Sequence, residues 1–425
     1  MTIAYLANEF PVAVEPYVGD EIAELEKRGA QVIAASVRKS SCAASSGIRA
    51  ADVVLLPLSI FTVLRAARLC VRACARLIPV LNRVIFCGRE GPLQRCKALA
   101  HTFLGACLAV RLKVRGVEHI HVHHGYFGSW VGMIAARLLG AGFSFTLHGS
   151  DLLLHGTYLD AKLAACTFCI TVSEYNRRFI LARYPSVKGK VFVSRMGVDS
   201  SATTGPLPKQ VREECLKILA VGRLHPVKDH AFLLRGCARL VKVGIAFECS
   251  IAGEGSERGA LESLIRELDL TQCVRLLGHV PREDVGLLYE QADLVVLTSK
   301  SEGIPLVLME AMARGRIVLA PRMTGIPELV AHGKSGFLYK AGDMDSFIEQ
   351  VLLIRSLLID EAEPITRIAV PHAHSLRVIR QAAHLQVVEN FNRSKNLQYF
   401  ADLFLGSIAR RNENAPDENL VLQQI

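Results

Sequence analysis

The sequence is poor in several features that mark special classes of protein. No apolar run reaches the roughly 20 residues that a membrane-spanning helix needs, and we expect no signal peptide, because the chain opens on a strand-like segment. Aromatic residues make up 6% of the chain, with a single tryptophan. No G-x-G-x-x-G pattern occurs, so binding of a nicotinamide dinucleotide is not supported. These absences point away from a membrane-spanning protein and from a nicotinamide-dependent one.

Length and composition indicate a two-domain α/β protein. A chain of 425 residues is too long for one ordinary core. Its 51% hydrophobic content with modest aromatic content fits an α/β fold. The twelve cysteines are scattered along the sequence, which favours free buried thiols in a reducing cytosol over a disulfide framework. We therefore expect a cytoplasmic protein.

Strand and helix patterns alternate from the start of the chain. Residues 2–7, 20–28 and 30–36 read as strand, helix and strand, with a loop over residues 8–19. This order is a Rossmann-like beginning.

A Ser/Thr/Gly/Pro-rich segment at residues 200–215 reads as a linker, because a second alternation of strands and helices begins after it. The predicted division of the chain is a first Rossmann-like domain at 1–200 with a basic amphipathic helical insertion at about 57–115, a second Rossmann-like domain at 212–355, and a C-terminal helical segment with a polar tail at 356–425.

The most informative stretch runs from Ser299 to Gly315, after an apolar segment that reads as a buried strand. Pro305 suits the first position of a helix and Gly315 suits its end. Glu302 then lies on the loop before the helix, and Glu310 lies about one and a half turns inside it. Free N–H groups at such a helix start suit a diphosphate, and the two carboxylates suit hydroxyls on either side, as in a sugar and a ribose. The alternative is a surface connection with two solvated glutamates.

A second loop with phosphate-binding potential follows the strand predicted at residues 216–221. It contains Gly222, Arg223 and Lys228, so two cations lie at the end of a strand. Considered alone, the pair could equally be solvated surface charges.

Histidines follow two other predicted strands. His119, His121 and His123 would share one face of a strand, but no carboxylate of ligand spacing follows, so we expect no zinc site. One of these histidines is expected to line a cleft, and the others to be packed or exposed. His148 precedes Gly149 at a strand end, where it would point over the carboxyl edge of the sheet, the usual ligand-binding edge.

Positive charge is concentrated between residues 57 and 115, which hold eleven Lys/Arg and one acid, Glu90. This excess equals the net charge of the whole chain, +10. A basic amphipathic helix with a kink at Pro79 would suit an anionic membrane surface. The alternatives are a packed helix with solvated arginines, or nucleic-acid binding, which interleaved aromatics would favour. The arginines recur at helical spacing within an arc of roughly 80°: Arg65, Arg68, Arg72, Arg76 and Arg83.

Together these motifs resemble the retaining, nucleotide-sugar-dependent glycosyltransferases of family 4, which have the GT-B fold. Glu302 and Glu310, within Glu-Gly-x-Pro…Glu-Ala-Met-Ala, match the family signature. Gly-Arg-Leu-x-Pro-x-Lys at 222–228 matches its diphosphate motif. The resemblance extends to about Phe400 and is strongest over residues 217–340. The first half resembles the exopolysaccharide, colanic-acid-type branch at Leu-Ala-Asn-Glu-Phe-Pro11, His121-x-His-His-Gly-Tyr-Phe-Gly128, His148-Gly-Ser-Asp151, Val172-Ser-Glu-Tyr-Asn176 and Arg195-Met-Gly-Val-Asp199.

The resemblance implies two Rossmann-like domains facing across a cleft, the first on the acceptor side and the second binding the nucleotide sugar, with a C-terminal helix crossing back to the first domain. It implies transfer of a sugar from a nucleotide-diphosphate sugar to a lipid-linked or glycan acceptor at the inner membrane face, with no metal, no cofactor and no nucleic acid. Catalytic roles fall on His148, Arg223, Lys228 and Glu302. Donor contacts fall on Gly19, Arg223, Lys228, Gly303, Ile304, Pro305, Leu306 and Glu310.

Two departures from the family pattern affect these expectations. Val14-Glu15-Pro16 replaces the usual Ser-Glu-Thr of the branch, and Asp229 stands where glycine is common. Two other functions stay open, a nucleotide-sugar epimerase and a silent nucleotide-binding scaffold. An epimerase would need acid–base carboxylates in the first domain, where Asp151 is the obvious candidate. A scaffold is disfavoured because all four residues at the two motifs are present.

Overall fold

The computed structural model describes residues 1–12, 15–40, 49–87, 90–199, 215–362 and 375–414. Their contacts form two units. The first contains Met1–Ser194 and Lys395–Ile425, and the second contains Arg195–Ser394. The linker predicted at 200–215 lies outside the described residues, except for Cys215.

The first unit is built on a seven-stranded parallel sheet with the strand order β3-β2-β1-β4-β5-β6-β7. Its strands are β1 Thr2–Glu9, β2 Gln31–Arg38, β3 Val53–Val54, β4 His119–His123, β5 Gly142–Leu147, β6 Phe168–Thr171 and β7 Val191–Val193. Its helices before the second unit are α1 Pro16–Lys27, α2 Ile60–Arg72, α3 Cys74–Ile85, α4 Pro92–Lys113, α5 Phe127–Leu139, α6 Ser150–Leu153, α7 Leu159–Ala165 and α8 Glu174–Arg183. A 3₁₀ helix, Pro185–Lys190, follows α8.

The second unit repeats this architecture with a six-stranded parallel sheet of order β10-β9-β8-β11-β12-β13. Its strands are β8 Leu216–Val221, β9 Phe247–Ala252, β10 Val274–Gly278, β11 Leu294–Val296, β12 Ile317–Pro321 and β13 Phe337–Tyr339. Its helices are α9 His230–Lys242, α10 Arg258–Glu267, α11 Arg282–Gln291, α12 Leu306–Ala313, α13 Ile326–Leu329, α14 Met344–Ala362 and α15 Leu376–Asn390.

The last helix, α16 Arg393–Asn414, packs on the first unit. Phe400, Phe404 and Ile408 are buried in the core that β1 and α1 form. The predicted return of the C-terminal helix is therefore confirmed. Within the segment predicted as one piece at 356–425, the contacts assign residues up to Ser394 to the second unit.

Helix α1 begins earlier than predicted. It starts at Pro16, after Glu15 at the N-cap, because proline at a first helical position loses no hydrogen bond and has its φ already fixed. Gly19 therefore lies in the first turn of α1, and its predicted place on a loop is wrong.

The arginine-bearing segment from Arg65 to Arg83 forms two helices, α2 and α3, so the prediction of one helix kinked at Pro79 is wrong. The break occurs at Ala73, and Pro79 lies inside α3. Proline there removes one hydrogen bond of α3 without ending the helix. No helix within the described ranges is both long and apolar enough to cross a membrane.

The described cysteines are all free. Cys166 and Cys169 have Cys-x-x-Cys spacing, but both thiols are buried. Burial raises the pKa of Cys166 to about 12, so this thiol stays protonated and unreactive near neutral pH.

Candidate functional site

The two loops that the sequence singled out lie side by side at the carboxyl end of the second sheet. The Lys300 N–H donates to the Val227 carbonyl at 2.8 Å, and the Thr298 hydroxyl donates to the Lys228 carbonyl at 3.0 Å. Across this contact, Lys228 Nζ lies 2.6 Å from Glu302 Oε1. The structure thus brings together one residue from each motif.

Neither member of the Lys228–Glu302 pair is fully buried. The two side chains are 19% and 12% exposed, so each can be reached from solvent. Both charges can therefore exchange their mutual contact for contacts with a ligand.

The loop that carries Glu302 also holds two unsatisfied polar groups. The hydroxyls of Ser299 and Ser301 are buried and have no hydrogen-bond partner among the described residues. The Thr324 hydroxyl, next to Gly325, is in the same state. Buried polar groups are usually paired in folded proteins, so three orphaned hydroxyls suggest a missing polar ligand.

Gly325 brings the Thr324 segment against the loop. A Cβ at Gly325 would lie 2.3 Å from the Gly303 carbonyl oxygen, so only glycine permits this approach without a shift. The orphaned Thr324 hydroxyl is therefore held near the backbone that precedes α12.

Helix α12 begins at Leu306, with Pro305 as its N-cap residue rather than its first residue. The first N–H groups of a helix have no partner within the helix. Glu310 lies in the second turn, where its Oε2 accepts from the Tyr289 hydroxyl at 2.9 Å. Burial, and then the Glu310 carboxylate, raise the pKa of Tyr289 well above its usual value. Tyr289 therefore stays a donor that orients Glu310.

The loop of the cationic motif is held close to the end of β9. A Cβ at Gly253 would lie 1.9 Å from the Gly222 carbonyl oxygen, and its φ of 151° also favours glycine. Arg223 on this loop is exposed. Lys228 instead extends over Gly222, with side-chain carbons 3.7 Å from the point that a Cβ at Gly222 would occupy. The two predicted phosphate-binding cations therefore differ in their surroundings.

Asp229 does not oppose the cationic motif directly. It occupies the N-cap position of α9 without a side-chain capping bond, and its carboxylate lies 3.1 Å from Lys300 Nζ. Lys300, rather than Lys228, therefore compensates the negative charge of Asp229.

In the first unit, His148 is part of a hydrogen-bonded chain of side chains. Its Nε2 lies 2.9 Å from Nδ1 of His123, and Nε2 of His123 lies 2.8 Å from Glu21 Oε2. The Tyr5 hydroxyl also bonds to Glu21. Because a carboxylate accepts, His123 donates to Glu21 through Nε2. Burial, and then the charge of His124, lower the pKa of His148 well below its usual value.

The Asp151 carboxylate holds the backbone of two loops in place. The carboxylate accepts from the backbone N–H groups of Gly125 (2.8 Å), His148 (3.1 Å) and Gly149 (2.9 Å). Burial opposes its charge, but its contact with His124 outweighs burial and holds the pKa of Asp151 well below its usual range. It is therefore a poor acid–base group, which argues against the epimerase alternative.

His124 is the cation beside Asp151. Burial works against its charge, but Asp151 and Glu15 raise its pKa to about 10. Glu15 Oε1 lies 3.0 Å from His124 Nε2, so the glutamate of the Val-Glu-Pro segment helps to hold this histidine charged.

Three imidazoles, those of His123, His124 and His148, have nitrogens within 4.8 Å of one another, a spacing that a metal ion could use. His123 and His148 already bond to each other, and His124 is protonated near neutral pH. A protonated imidazole does not bind metal. These residues fit a hydrogen-bonded network better than a metal centre.

Sequence reasoning identified His148 but not its partners. Glu21 lies 102 positions from His123, and no local pattern links them. The alternation along β4 was the available signal: His119, His121 and His123 share one face, as predicted, and all three are fully buried. Of the predicted site residues, Gly19 lies beside open space, since a Cβ there would meet nothing within 4 Å.

The fold is that of the GT-B glycosyltransferases, with two Rossmann-like parallel sheets. Residues 208–366 match the family described as glycosyl transferases group 1, and they include both motif loops. The second unit therefore carries a glycosyltransferase group 1 domain. The predicted GT-B fold class is confirmed, whereas membership in family 4 and retention of configuration stay predictions.

Two relatives of this chain are named as glycosyltransferases of exopolysaccharide biosynthesis. AmsK of Erwinia amylovora, an amylovoran biosynthesis glycosyltransferase, is 30% identical over 254 residues, which cover 56% of this chain and 62% of AmsK. WcaL of Escherichia coli K12, whose name assigns it to colanic acid biosynthesis, is 34% identical over 201 residues, covering 45% and 49%. The chain thus spans about half to three fifths of the length of these relatives. The structure of Anabaena HepE with UDP and glucose aligns with a TM-score of 0.67 and 18% identity, covering 96% of this chain and 100% of HepE.

Proposed function

We propose that the protein is a retaining glycosyltransferase. It moves a hexose from a nucleotide-diphosphate sugar to a lipid-linked or polysaccharide acceptor in exopolysaccharide or cell-envelope glycan synthesis. The observation that carries the proposal is the contact between Lys228 and Glu302, 2.6 Å apart, in a domain that matches glycosyl transferases group 1. The names of AmsK and WcaL support the biosynthetic context.

The donor is held by the two loops of the second unit. Lys228 and Arg223 bind the diphosphate, together with the N–H groups of Gly303, Ile304 and Leu306, while Pro305, which has no N–H, contributes to the shape of this loop. When phosphate takes Lys228, Glu302 is released to accept hydrogen bonds from the sugar hydroxyls. Glu310, oriented by its bond from Tyr289, accepts from the ribose.

In the reaction, the bond between the anomeric carbon and the diphosphate oxygen breaks as a bond to the acceptor oxygen forms on the same face. The acceptor proton passes to the leaving phosphate. Arg223 and Lys228 accelerate this step because they stabilise the negative charge that grows on the diphosphate. These cations and the helix start supply positive charge, and we propose no metal or cofactor in this step.

The first unit contributes His148 at the donor sugar, with Gly19 as a further donor contact. Because burial keeps His148 neutral, it offers hydrogen bonds to the sugar without adding a positive charge beside an oxocarbenium-like centre. The hydrogen-bonded pair of Glu21 and His123 holds its ring in place.

The first unit also meets an anionic membrane surface, on the cytoplasmic face, through α2. Arg65, Arg68 and Arg72 are exposed and make no hydrogen bond or ion pair among the described residues. Phe61 is 72% exposed and Val71 is 75% exposed on the same helix. Exposed apolar residues beside free cations suit an interface with anionic lipid.

Two of the predicted arginines do not belong to this face, because they are bonded within the protein. Arg76 bonds to the Leu138 carbonyl, and Arg83 bonds to Glu90 and Asp160.

The membrane proposal is tested by co-sedimentation with vesicles that contain phosphatidylglycerol. Changing Arg65, Arg68 and Arg72 to Glu should release the protein, with an expected loss on the order of 1 kcal/mol per residue. The matched control changes three exposed arginines of the second unit, Arg235, Arg266 and Arg275, to Glu. Equal binding by both triple variants would remove α2 from the membrane contact.

The transferase proposal is tested by a donor screen. Purified protein is incubated with UDP-, GDP-, ADP- and dTDP-sugars and a cell-envelope lipid or glycan fraction, and release of nucleoside diphosphate is measured with transfer of labelled sugar. We expect release that depends on both donor and acceptor, with α-linked product from an α-linked donor. An epimerised nucleotide sugar would establish the epimerase alternative, and nucleotide binding without turnover would establish the scaffold.

A further inference from the structure

The first unit contains a cavity of about 500 Å³ that the donor chemistry does not use. It lies between α4, the start of α5 and the segment before α7, and it reaches Asn8 and Gly125 at the carboxyl ends of β1 and β4. A cavity of this size falls in the range of small-molecule sites.

The lining of the cavity is basic and contains no acidic residue. Its basic members are Lys97, His101, His155 and Lys162. Burial, followed by the charges of Lys162 and Lys97, lowers the pKa of His101, so this imidazole is neutral near neutral pH. Lys162 is 3% exposed, and its Nζ donates to the Gly125 carbonyl at 2.6 Å. An anionic group in the cavity would interact favourably with the positive charges of Lys97 and Lys162.

Two polar atoms at the wall lack partners among the described residues, the Tyr158 hydroxyl and Asn8 Oδ1. Tyr158 is 4% exposed, and its backbone is left-handed, with φ of 53°. A buried hydroxyl without a partner is costly, and non-glycine residues held in this conformation cluster at functional sites. Both observations indicate that a polar ligand completes this wall.

Aromatic rings form the remaining walls. The ring of Trp130 lies 4.8 Å from that of Tyr158, and His101 stacks on Phe127 at 5.0 Å. The Trp130 Nε1–H already donates to the Thr102 hydroxyl at 3.0 Å, so Trp130 presents an apolar surface. Flat apolar rings beside donors and acceptors match a ligand that has both apolar faces and hydroxyl edges, as a pyranose does.

We propose that this cavity binds an anionic sugar unit of the acceptor, a pyranose that carries a carboxylate or a phosphate. The assignment as acceptor rests on the proposed transferase function. Gly125 connects the cavity to the His148 loop: its carbonyl accepts from Lys162, while its N–H donates to Asp151, which also accepts from the His148 N–H. A sugar in the cavity is thereby placed beside the loop that holds the proposed catalytic histidine.

Trp130 supplies a direct readout, because it is the single tryptophan of the chain. The full-length protein, without donor, is titrated with glucuronate, glucose 6-phosphate, glucose and inorganic phosphate while tryptophan emission is recorded. We expect a saturable change with glucuronate or glucose 6-phosphate, at least tenfold tighter than with glucose or phosphate. The better of the two identifies the source of the anionic group. An equal response to all four compounds, or no response to either anionic sugar, overturns the proposal.

Variants locate the binding. Lys97→Met and Tyr158→Phe should each weaken anionic-sugar binding at least fivefold, whereas Lys113→Met, an exposed lysine of the same helix outside the cavity, should not. Lys97 is exposed, so its replacement leaves the core intact. Unchanged affinity in Lys97→Met contradicts the site.

The donor-site variant Lys228→Met separates this proposal from the transferase function. It should bind anionic sugars with wild-type affinity while losing transfer. If the donor screen fails and the fluorescence titration succeeds, the cavity stands and the transferase proposal falls. In an active enzyme, Lys97→Met should raise KM for the acceptor and leave KM for the donor unchanged.

Discussion

The candidate residues of the two units differ in whether their hydrogen bonds are already formed within the protein. In the second unit, Lys228 and Glu302 neutralise each other at a partly exposed contact, and the hydroxyls of Ser299 and Ser301 lack partners among the described residues. In the first unit, His148 belongs to a chain whose bonds are already made. A site with unpartnered polar groups can form its remaining hydrogen bonds with a ligand. A site whose hydrogen bonds are already formed has its side chains and charges fixed before a ligand binds. The difference predicts that mutations act on ligand binding in one unit and on stability or protonation in the other.

The largest effect should come from the site in the second unit. Lys228→Met removes a charge that stabilises the leaving diphosphate, so kcat/KM should fall by about 10²–10³-fold, as for loss of one transition-state donor. Stability should change little, because the lysine is a partly exposed group. Steady-state kinetics and thermal melting check both parts. Lys334→Met, an exposed lysine of the same unit, is the control, and equal activity of the two variants would remove Lys228 from the mechanism.

Loss of the His124 charge in the first unit should change the free energy of unfolding in a pH-dependent way. His124→Gln removes a cation whose pKa Asp151 and Glu15 raise to about 10. A raised pKa stabilises the folded state fully below the unfolded value of about 6.5, and the contribution is lost as the pH rises through 10. The variant should lose on the order of 3 kcal/mol at pH 6 and approach wild type at pH 10. His279→Gln, at an exposed histidine, should show no such window. A loss independent of pH would mean that packing, not charge, is the role of His124.

Backbone geometry at the site in the second unit should have an intermediate effect. Gly253→Ala places a Cβ 1.9 Å from the Gly222 carbonyl oxygen, so the loop carrying Arg223 must move, at a cost of about 1–3 kcal/mol. Donor affinity should fall along with stability. Gly259→Ala, where a Cβ meets nothing within 4 Å, is the matched control. Isothermal titration with the donor's nucleoside diphosphate and chemical unfolding measure the two losses. A wild-type affinity in Gly253→Ala would show that the loop tolerates displacement.

The smallest effect should come from Tyr289→Phe, which deletes one hydrogen bond to Glu310 and keeps the buried ring. Nucleotide binding should weaken about five- to tenfold, as expected for loss of about 1 kcal/mol, while the acceptor KM stays unchanged. Tyr399→Phe, at an exposed tyrosine, controls for the substitution. A change in acceptor KM instead would place Glu310 outside the ribose contact.

Motifs made the second unit the easier half to predict. The strand at Leu216–Val221 has the predicted bounds, and α12 begins within one residue of its predicted start, because glycine and proline mark these boundaries locally. The orphaned hydroxyls of Ser299 and Ser301 could not be predicted, since burial and hydrogen bonding depend on distant segments.

The first unit shows where local patterns are insufficient. Helical spacing of arginines predicted one basic helix, but the break at Ala73 has no glycine or proline to mark it. The spacing also could not distinguish the exposed Arg65 from Arg83, whose partners Glu90 and Asp160 lie 7 and 77 positions away. Long-range pairs of this kind were beyond a reading of sequence periodicity.

Helix α16 has a consequence for how the chain is made. Phe400 and Phe404 cover one face of the sheet that contains Tyr5, yet they are synthesised almost 400 residues later. During synthesis, the second unit is finished before helix α16 can pack on this face of the first sheet. The core of the first unit is therefore completed last, and a chain cut before residue 400 should expose an apolar surface to water and aggregate.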